Sequence, residues 1–294
     1  MSLNGIDIAS YQAGMNVCKV LGDFVVVKAT EGIDYTNPSF SVHAKQTLTA
    51  GKKLGLYHFI RKDVDIKKQA DYFLTTVQSY IGKAMLVLDF EDTTGSMIQN
   101  ESGIGLAKQW LDYVYENTGV RPVVYMGLSC ENSLDWSIVV DANYGLWIAQ
   151  YNNYTVINGY QPRHLYGSLK HWQTAVMFQY TSTGRLTGWA GNLDFDIFYG
   201  DKSAWDKYAK ATIDSDVSKW VREDKIYTLK IAVKLRTEPT EISSVIAVLP
   251  AGSVVKTDQA IIQGGYRWVR QPRADGFGYL TTGPINNTLE YVKQ

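Results

Sequence analysis

Residues 85–93 read MLVLDFEDT, a run of four apolar residues that leads into Asp89, Phe90 and Glu91. An unbroken apolar run of this length is typical of a strand that is buried on both faces. Side chains alternate along a strand, so Asp89 and Glu91 project to the same side, one pleat apart. The segment therefore predicts a buried strand with two neighbouring carboxyl groups at its end.

Such a carboxyl pair suits acid–base chemistry. Like charges resist joint ionisation, so each group raises the pKa of the other, and one can stay protonated while its neighbour is ionised. Cleavage of a glycosidic bond uses this combination: an acid protonates the leaving oxygen and a carboxylate supports the positively charged sugar. Taken alone, a D-x-E pair is more often a solvated strand end, so the rest of the chain has to decide.

Short apolar runs alternate with amphipathic segments on both sides of this strand, up to about residue 200. The eight predicted strands are residues 5–9, 24–29, 53–59, 84–90, 122–126, 145–149, 176–180 and 193–198. The predicted helices begin at Asn37-Pro38 and end at Gly51, then cover 64–80 and 102–117. Alternating strands and helices indicate an α/β fold of parallel βα units, and eight strands indicate a barrel. Some connections are too short for a full helix, notably between Tyr125 and Leu146, so we expect an irregular barrel.

In such barrels the chemistry takes place at the C-terminal ends of the strands. Polar or aromatic residues stand at nearly every one of these ends. The candidate site residues are Asp7, Glu31, Tyr57, Asp89, Glu91, Tyr125, Trp147, Tyr151, Gln179 and Asp194. Because apolar runs alone define the strands, this coincidence favours an active site over a set of solvated strand ends.

Several of these residues have a structural alternative. Asp7 could cap the loop that leads to Ser10, and Glu31 could hold Lys28 in place. The four aromatic candidates could be core residues as readily as sugar-binding ones. His58, at the end of the third strand, is expected to be a structural histidine rather than a base.

The pattern changes after residue 200. Residues 202–215 are typical of a polar helix, and a charged linker follows around 218–225. From residue 226 onward, the β-rich runs YTLKIAVKLR, SSVIAVLPAGSVVKT, YRWVRQP and GFGYLTT are separated by turn residues. The sequence predicts three regions: a catalytic barrel over 1–205, a helix and linker over 206–225, and a small all-β barrel over 226–294.

The motifs of the first region resemble those of family 25 glycoside hydrolases, the muramidases of bacterial and phage lysins. The matching segments are GIDIASYQ (5–12), KATEG (28–32), YHF (57–59), LDFED (88–92), LWIAQY (146–151), QYTSTG (179–184) and LDFDIF (193–198). The resemblance covers about residues 3–200, with the motifs in the family's order. It implies a flattened, irregular (β/α) TIM-type barrel. It also implies cleavage of the β-1,4 bond between N-acetylmuramic acid and N-acetylglucosamine in the peptidoglycan glycan strand.

The resemblance also implies roles for individual acids. Glu91 matches the family's general acid and Asp89 the carboxylate beside it, while Asp7 and Asp194 match two further acidic positions that line the cleft. Asp196 stands where the family usually has Asn, which could alter the pH profile. The resemblance favours retention with assistance from the substrate's N-acetyl group, and the residues alone leave direct attack by a carboxylate open.

The tail is similar to bacterial SH3-like cell-wall-binding modules, in the order KLRTEPT, VLPAGSVV, YRWVRQP and GFGYL. The usual Asn before a Val-Arg pair is replaced by Val233-Lys234 before Leu235-Arg236. The similarity implies a cell-wall peptide or polymer as the partner of this region. The candidates for an exposed peptide groove are Tyr227, Tyr266, Trp268, Phe277 and Tyr279.

Charge and hydropathy exclude several classes of function. The formal net charge is zero over 294 residues, so nothing global indicates a nucleic-acid partner. No stretch reaches 18 consecutive apolar residues, so membrane insertion is not expected. Residues 1–10 lack the basic start and hydrophobic block of a signal peptide, and residues 1–3 could be an artificial addition. We expect synthesis in a host cytoplasm, release to the cell wall, and a monomer.

Cysteine and histidine add no further chemistry. Cys18 and Cys130 are expected to be free thiols. His43, His164 and His171 are scattered without ligand spacing, so neither a metal nor a cofactor is expected.

Two other functions remain open on the sequence. A chitinase-like, N-acetyl-assisted glycosidase also uses a D-x-E pair on a barrel strand, but it normally has a further Asp where this chain has Val87. A non-catalytic wall-binding protein with a decayed barrel is the second alternative, and the intact set of acids argues against it.

Overall fold

The strands of the first part of the chain form a sheet that closes on itself. The computed structural model describes residues 2–94, 96–151, 154–210, 220–241, 243–263, 266–274, 276–284 and 290–293. The chain divides into two units, one made of Met1–Tyr115 and Gly119–Thr212, the other of Glu116–Thr118 and Ile213–Gln294. Within the described ranges, no helix combines the length and the apolar character that a membrane crossing needs.

The first unit is mixed α/β. Its strands are β1 (Leu3–Ile8), β2 (Phe24–Glu31), β3 (Tyr35–Thr36), β4 (Lys53–Phe59), β5 (Ala84–Asp89), β6 (Val123–Gly127), β7 (Gly145–Ala149), β8 (Ile157–Asn158), β9 (Met177–Arg185) and β10 (Leu193–Phe198). The order β1-β2-β4-β5-β6-β7-β9-β10 returns to β1, so eight strands form a closed, barrel-like sheet. The two short strands β3 and β8 pair with β2 and β9 outside this ring. All eight predicted strands are confirmed, with ends that differ by a few residues.

Helices connect many of these strands. They are α1 (Phe40–Thr49), α2 (Ile66–Val77), α3 (Glu101–Thr118), α4 (Leu128–Ser133), α5 (Ser137–Asp141) and α6 (Lys202–Ala209). The three predicted helices within the barrel are confirmed, although α1 begins at Phe40, after a turn over 37–39. The short connection after β6 holds two short helices, α4 and α5, as its length requires. Of the predicted helix over 202–215, α6 accounts for the first part, and residues 211–215 lie outside the described residues.

The last strand of the ring runs against the others. β10 pairs antiparallel with both β9 and β1, whereas the other neighbours in the ring pair in parallel. Only residues 186–192 join β9 to β10, and a crossover to a parallel strand needs a dozen or more residues. The expectation of parallel βα units is therefore wrong for this strand. Asp194 lies near the beginning of β10, which the reversed direction brings to the same end of the barrel as the ends of the parallel strands.

Alternation along β5 divides its side chains between two cores. Met85 and Val87 belong to a buried cluster that also contains Tyr57, Tyr125 and Trp147. Leu86 and Leu88 belong to a larger cluster that includes the helix residues Phe73 and Trp110. This two-sided burial explains the unbroken apolar run of the sequence. It also places Asp89 on the same side of the strand as Met85 and Val87.

Glycine at position 5 of β1 leaves room for the ring of Phe24, its register partner on β2. A Cβ atom added to Gly5 would lie 2.5 Å from the ring of Phe24. That ring is fully buried and packs 4.7 Å from the ring of Trp205. We expect Gly5→Ala to lower the free energy of unfolding by about 1–3 kcal/mol, because a buried ring has to move.

Gly105 provides a matched control for this prediction. It lies in α3, and a Cβ atom there would meet nothing within 4 Å. Gly105→Ala should therefore raise the free energy of unfolding by about 0.5–1 kcal/mol, since alanine favours the helix. Calorimetric unfolding of the full chain measures both effects, and equal responses to the two substitutions would contradict the close-approach argument.

The second unit is an antiparallel β structure. Its strands are β11 (Val221–Leu229), β12 (Val233–Arg236), β13 (Val245–Leu249), β14 (Val254–Gln263), β15 (Tyr266–Arg273), β16 (Gly276–Pro284) and β17 (Val292–Lys293). They form one sheet in the order β13-β12-β16-β15-β14-β11-β17, and every pair is antiparallel. The predicted β-rich runs are thus strands. β11 begins at Val221, inside the predicted linker, while residues 211–219 lie outside the described residues.

Candidate active site

Nine of the ten predicted site residues line one pocket of about 140 Å³ at the mouth of the barrel. They are Asp7, Tyr57, Asp89, Glu91, Tyr125, Trp147, Tyr151, Gln179 and Asp194. These residues come from seven strands of the ring or from the loops directly after them. The structure therefore brings together the side chains that the sequence placed only at separate strand ends.

Packing beyond the end of β5 aims the D-x-E pair at this pocket. The amide of Phe90 donates to the carbonyl of Tyr125 (3.0 Å), so the chain stays extended past Asp89. The ring of Phe90 is fully buried on the helix side and contacts Trp136 edge-on at 5.1 Å. With Phe90 held there, its neighbours Asp89 and Glu91 both face the pocket.

Strand register brings further acids to the pocket. Asp7 on β1 lies directly opposite Asp194 on β10, and Asp196 lies opposite Gln179 on β9. The hydroxyl of Tyr125 donates to Oε1 of Gln179 (2.8 Å), and Nε2 of Gln179 donates to Oδ2 of Asp7 (2.6 Å). Asp7 on β1 is thus held by Gln179 on β9, two strands away in the ring, which favours a place in the pocket over the alternative role as a loop cap.

Burial and mutual repulsion raise the pKa values of the acids. Burial raises the pKa of Asp7 to about 6, against the opposing effect of its hydrogen bond from Gln179. Burial, then the charge of Asp7, raises the pKa of Glu91 to about 7. Burial, then the charges of Asp7 and Glu91, raises the pKa of Asp194 to about 8. Burial and the charge of Glu91 hold the pKa of Asp89 well above its usual range.

Between about pH 6 and pH 7 these values leave Asp7 ionised while Glu91 is still protonated, so a proton donor and a carboxylate coexist in the pocket. Glu91 is the more accessible member of the D-x-E pair, since Asp89 is buried. Oδ1 of Asp89 is buried and, within the described part of the chain, has no hydrogen-bond partner. The pocket therefore offers an acid that can release a proton, and beside it a carboxyl group with one buried oxygen that has no hydrogen-bond partner among the described residues.

Lys28 is a charged neighbour of the acids that the set of candidate residues left out. Its charge lowers the pKa values of Asp89 and Glu91. Burial lowers its own pKa, and its Nζ lies 4.8 Å from the centroid of the Phe59 ring. A lysine in the otherwise apolar strand FVVVKATE was the available signal, because such a residue needs a compensating partner when it is buried.

Glu31 is the one predicted site residue outside the nine-residue pocket. It accepts from Nζ of Lys28 (2.6 Å) and pairs with Arg61. Together with Arg61 it lines a different pocket of about 300 Å³. The contact with Lys28 is the structural alternative that the sequence left open for Glu31.

His58 is a structural histidine, as predicted. Its ring is fully buried, stacks on Trp110 at 5.6 Å, and hydrogen-bonds Thr30 and Gln69. Burial lowers its pKa to about 3, so it stays neutral at the pH values at which the acids titrate.

A larger pocket of about 530 Å³ adjoins the first and shares Glu91, Tyr125 and Tyr151 with it. Its other lining residues are Gly127, Leu128, Ser129, Asn132, Ala149 and Gln150. Sequence reasoning missed the helix α4 in this lining. The spacing of Ser129 and Asn132, which puts two polar side chains on one helix face, was the signal that could have found it. Glu91 thus lies where two neighbouring pockets meet.

Neither thiols nor metal ligands add to this arrangement. Cys18 and Cys130 are both free, as expected. Among the described ranges, no group of three or more His, Cys, Asp or Glu residues has an arrangement that would hold a metal ion.

Comparison with known proteins gives consistent matches. The chain is 30% identical over 199 residues to the autolytic lysozyme of Clostridium acetobutylicum. The aligned residues make up 67% of this chain and 56% of that protein. The bacterial lysozyme of Streptomyces coelicolor has a similar structure, with a TM-score of 0.58, 26% identity, and coverage of 71% of this chain and 98% of that one. The spore cortex lytic enzyme SleM of Clostridium perfringens covers 95% of this chain and 97% of its own, with a TM-score of 0.56. Its 19% identity supports a likeness of fold alone.

The family model decides the assignment. The model of glycosyl hydrolases family 25 matches residues 6–189, which is more than half of the chain. This range contains Asp7, Asp89 and Glu91 and ends before Asp194. With the family match, the closed α/β sheet and the cluster of acids at its mouth, this chain belongs to glycosyl hydrolases family 25.

Proposed function

We propose that the protein is a lysozyme that hydrolyses the β-1,4 bond between N-acetylmuramic acid and N-acetylglucosamine in peptidoglycan. The observation that carries this proposal is the position of Glu91, a carboxyl group with its pKa raised to about 7 where two pockets meet. A glycosidic oxygen joins two sugar rings, so its proton donor has to lie between two sugar sites. The family assignment and the lysozymes among the relatives support the same chemistry.

The acids divide the work between them. Glu91 protonates the glycosidic oxygen, and Asp89 in its ionised form supports the positive charge that develops on the sugar. Asp194 is the other sequence candidate for this second role, but its pKa of about 8 keeps it protonated while Glu91 acts as the acid. The carboxyl group of Asp89, which lines the pocket, suits either of two routes. It can stabilise the sugar during direct attack by a carboxylate, or it can orient the substrate's N-acetyl group for internal attack.

The aromatic candidates have a double role in this proposal. Tyr57, Tyr125 and Trp147 are core residues whose edges form the pocket wall, so they shape the sugar site more than they extend into it. Tyr151 is only partly buried and lines both pockets, which favours a direct sugar contact. Glu31 stays a candidate substrate contact at its separate pocket.

Activity should fall as the pH rises through about 7. The general acid works only while it is protonated, and Glu91 loses its proton around its raised pKa of about 7. The alkaline limb of kcat/KM on soluble glycan fragments measures this pKa in the free enzyme. An alkaline limb near pH 4.5, the ordinary value for glutamate, would contradict the assignment of Glu91.

The experiment that tests the function is product analysis. Purified peptidoglycan is digested with the full chain, the fragments are reduced with borohydride, and mass spectrometry identifies the new reducing end. We expect reduced N-acetylmuramic acid from peptidoglycan and no soluble products from chitin. Products from chitin would favour the chitinase-like alternative, and binding to walls without any product would favour the non-catalytic one.

We further infer that the second unit is an SH3-like barrel that binds a cell-wall peptide or polymer. Its antiparallel sheet over residues 221–293 supports this, as does an aromatic cluster in which Arg270 lies over Trp220 and Phe277. Phe277 is exposed, while Tyr227 and Trp268 are buried core residues and are therefore not part of the predicted groove.

Phe277→Ala should weaken sedimentation of the full chain with insoluble walls, whereas Val254→Ala, at another exposed position of the unit, should not.

We also propose that the first unit is an irregular TIM-type barrel and that the protein acts as a lysin, an enzyme that breaks down bacterial cell walls. Seven parallel strands with intervening helices support the first, and the family's lysozymes support the second. Added from outside as a monomer, the protein should reduce the turbidity of a suspension of Gram-positive cells.

A further inference from the structure

Asp196 is the most deeply buried acid of the cluster and has no role in the chemistry described so far. Its side chain is fully buried, opposite Gly5 on one neighbouring strand and Gln179 on the other. Oδ1 accepts a hydrogen bond from Nε1 of Trp147 (2.9 Å). Oδ2 is buried and has no N–H or O–H donor among the described residues.

Asp7 lies two residues after Gly5, the register partner of Asp196, so the carboxyl groups of Asp7 and Asp196 project from the same face of the paired strands β1 and β10. Two ionised carboxylates cannot hydrogen-bond each other, since both are acceptors only, and buried like charges resist joint ionisation. A proton on one of the two groups removes the repulsion and gives the partnerless Oδ2 of Asp196 a role.

The surrounding donors identify which group carries it. The hydroxyl of Tyr125 donates to Oε1 of Gln179, which leaves the amide group of Gln179 pointing at Asp7 as a donor. Asp7 thus accepts one hydrogen bond already and is stabilised as an anion. Asp196 has only the bond from Trp147 and an oxygen without a donor, so the neutral acid suits its position better.

We propose that Asp196 is a positioning residue that stays protonated in the working enzyme and donates a hydrogen bond from Oδ2 to Asp7, so that Asp7 carries the negative charge. This inference rests on the proposed lysozyme function. Burial, followed by the charge of Asp7, holds the pKa of Asp196 well above its usual range, while that of Asp7 is about 6, which agrees with this distribution of the proton.

The bond has a consequence for the general acid. After burial, the charge of Asp7 is the largest influence that raises the pKa of Glu91. A proton held on Asp196 keeps Asp7 anionic, and the anionic Asp7 keeps the proton on Glu91. Asp196 therefore acts on the reaction through Asp7, without a contact to the substrate.

Other charged and titratable groups face this pair from several elements. The acids are Asp194 on the same strand, Asp89 at the end of β5 and Glu91 just beyond it, and Lys28 on β2 is a nearby cation. Tyr160 and Tyr180 have pKa values that burial and the charge of Asp196 raise further, so they stay neutral. The tyrosines around Asp7 and Glu91 are likewise neutral: they are Tyr57, Tyr125 and Tyr151.

Two substitutions at position 196 distinguish loss of the carboxyl group alone from loss of the hydrogen-bond donor. Asp196→Asn keeps an acceptor for Trp147 and a permanent N–H donor for Asp7, whereas Asp196→Ala removes both. We expect Asp196→Asn to keep kcat/KM on peptidoglycan fragments within about threefold of the wild type and Asp196→Ala to lose at least about tenfold. In Asp196→Ala the alkaline limb should also move to lower pH. Without its donor Asp7 takes up the proton itself, and Glu91 loses its anionic neighbour.

A spectroscopic measurement tests the proton directly, without any turnover. Carbon NMR of the full chain with labelled aspartate carboxyl groups follows each titration, and the signals are assigned by their loss in Asp196→Asn and Asp7→Asn. We expect the Asp7 signal to titrate near pH 6 and the Asp196 signal to keep its protonated shift between pH 5 and pH 8.

The outcomes distinguish this inference from the proposed function. An inactive wild type with a protonated Asp196 would refute the lysozyme proposal and leave the hydrogen bond in place. An active wild type in which Asp196 titrates near pH 6 would overturn the inference. So would an active wild type for which the Asn and Ala variants lose activity equally.

Discussion

We expect Glu91→Gln to lower the rate of peptidoglycan hydrolysis at least about a hundredfold. Glutamine keeps the shape of the side chain but has no proton to give at the pH of the reaction, and general acid catalysis contributes about a hundredfold or more. Release of reducing ends from purified peptidoglycan measures the rate. Binding to insoluble walls should be unchanged, because the substitution alters charge more than shape.

Glu101→Gln is the matched control for this variant. Glu101 is an exposed residue at the beginning of α3 and lines neither of the two pockets around Glu91. It should retain wild-type activity. Lysis by Glu91→Gln at a rate near that of the control would remove Glu91 from the role of proton donor.

The free energy of unfolding should fall by roughly 3 kcal/mol or more between pH 5 and pH 8. The acids of the pocket have raised pKa values in the folded state: about 6 for Asp7, about 7 for Glu91 and about 8 for Asp194. In the unfolded chain they ionise near pH 4. Their stabilising effect is therefore fully present below about pH 4 and is lost as the pH rises through 6 to 8. Each tenfold difference in proton affinity between the folded and unfolded states corresponds to about 1.4 kcal/mol.

The same Glu91→Gln variant provides the control for this second prediction. It removes one acid that is costly to ionise in the folded state, so at pH 8 it should be about 1–3 kcal/mol more stable than the wild type. At pH 4 the two proteins should differ little. Urea unfolding at each pH measures the difference, and a wild-type stability that does not change from pH 5 to pH 8 would contradict the raised pKa values.

The strands of the barrel could be predicted because a strand that is buried on both faces has an almost continuous run of apolar residues. Runs such as FVVVKA and MLVLDF are apolar at nearly every position since they face a core on each side. The candidate site followed from the same strands, because residues at equivalent strand ends meet at one mouth of a barrel. Nine of the ten chosen residues line one pocket for this reason.

The remaining features depend on contacts between distant segments. The direction of β10 depends on its partners and on a short connection, neither of which changes its own apolar pattern. Glu31 lies outside the nine-residue pocket, where it pairs with Arg61, a residue 30 positions later in the chain. The pairing of β1 with β10, which brings Asp7 and Asp196 to one face, joins the two ends of the first unit, and no local sequence pattern predicts it.

The position of β10 makes closure of the ring depend on the last strand of the first unit. This strand pairs Phe198 with Leu3, and it supplies Asp194 to the pocket and Asp196 to the network behind it. A growing polypeptide has to reach nearly its two-hundredth residue before β1 obtains this partner, so the ring and its acids are completed together. A chain interrupted before this strand would retain Asp89 and Glu91 but lack Asp194, Asp196 and the antiparallel partner of β1, so we expect it to lack the proposed hydrolytic activity.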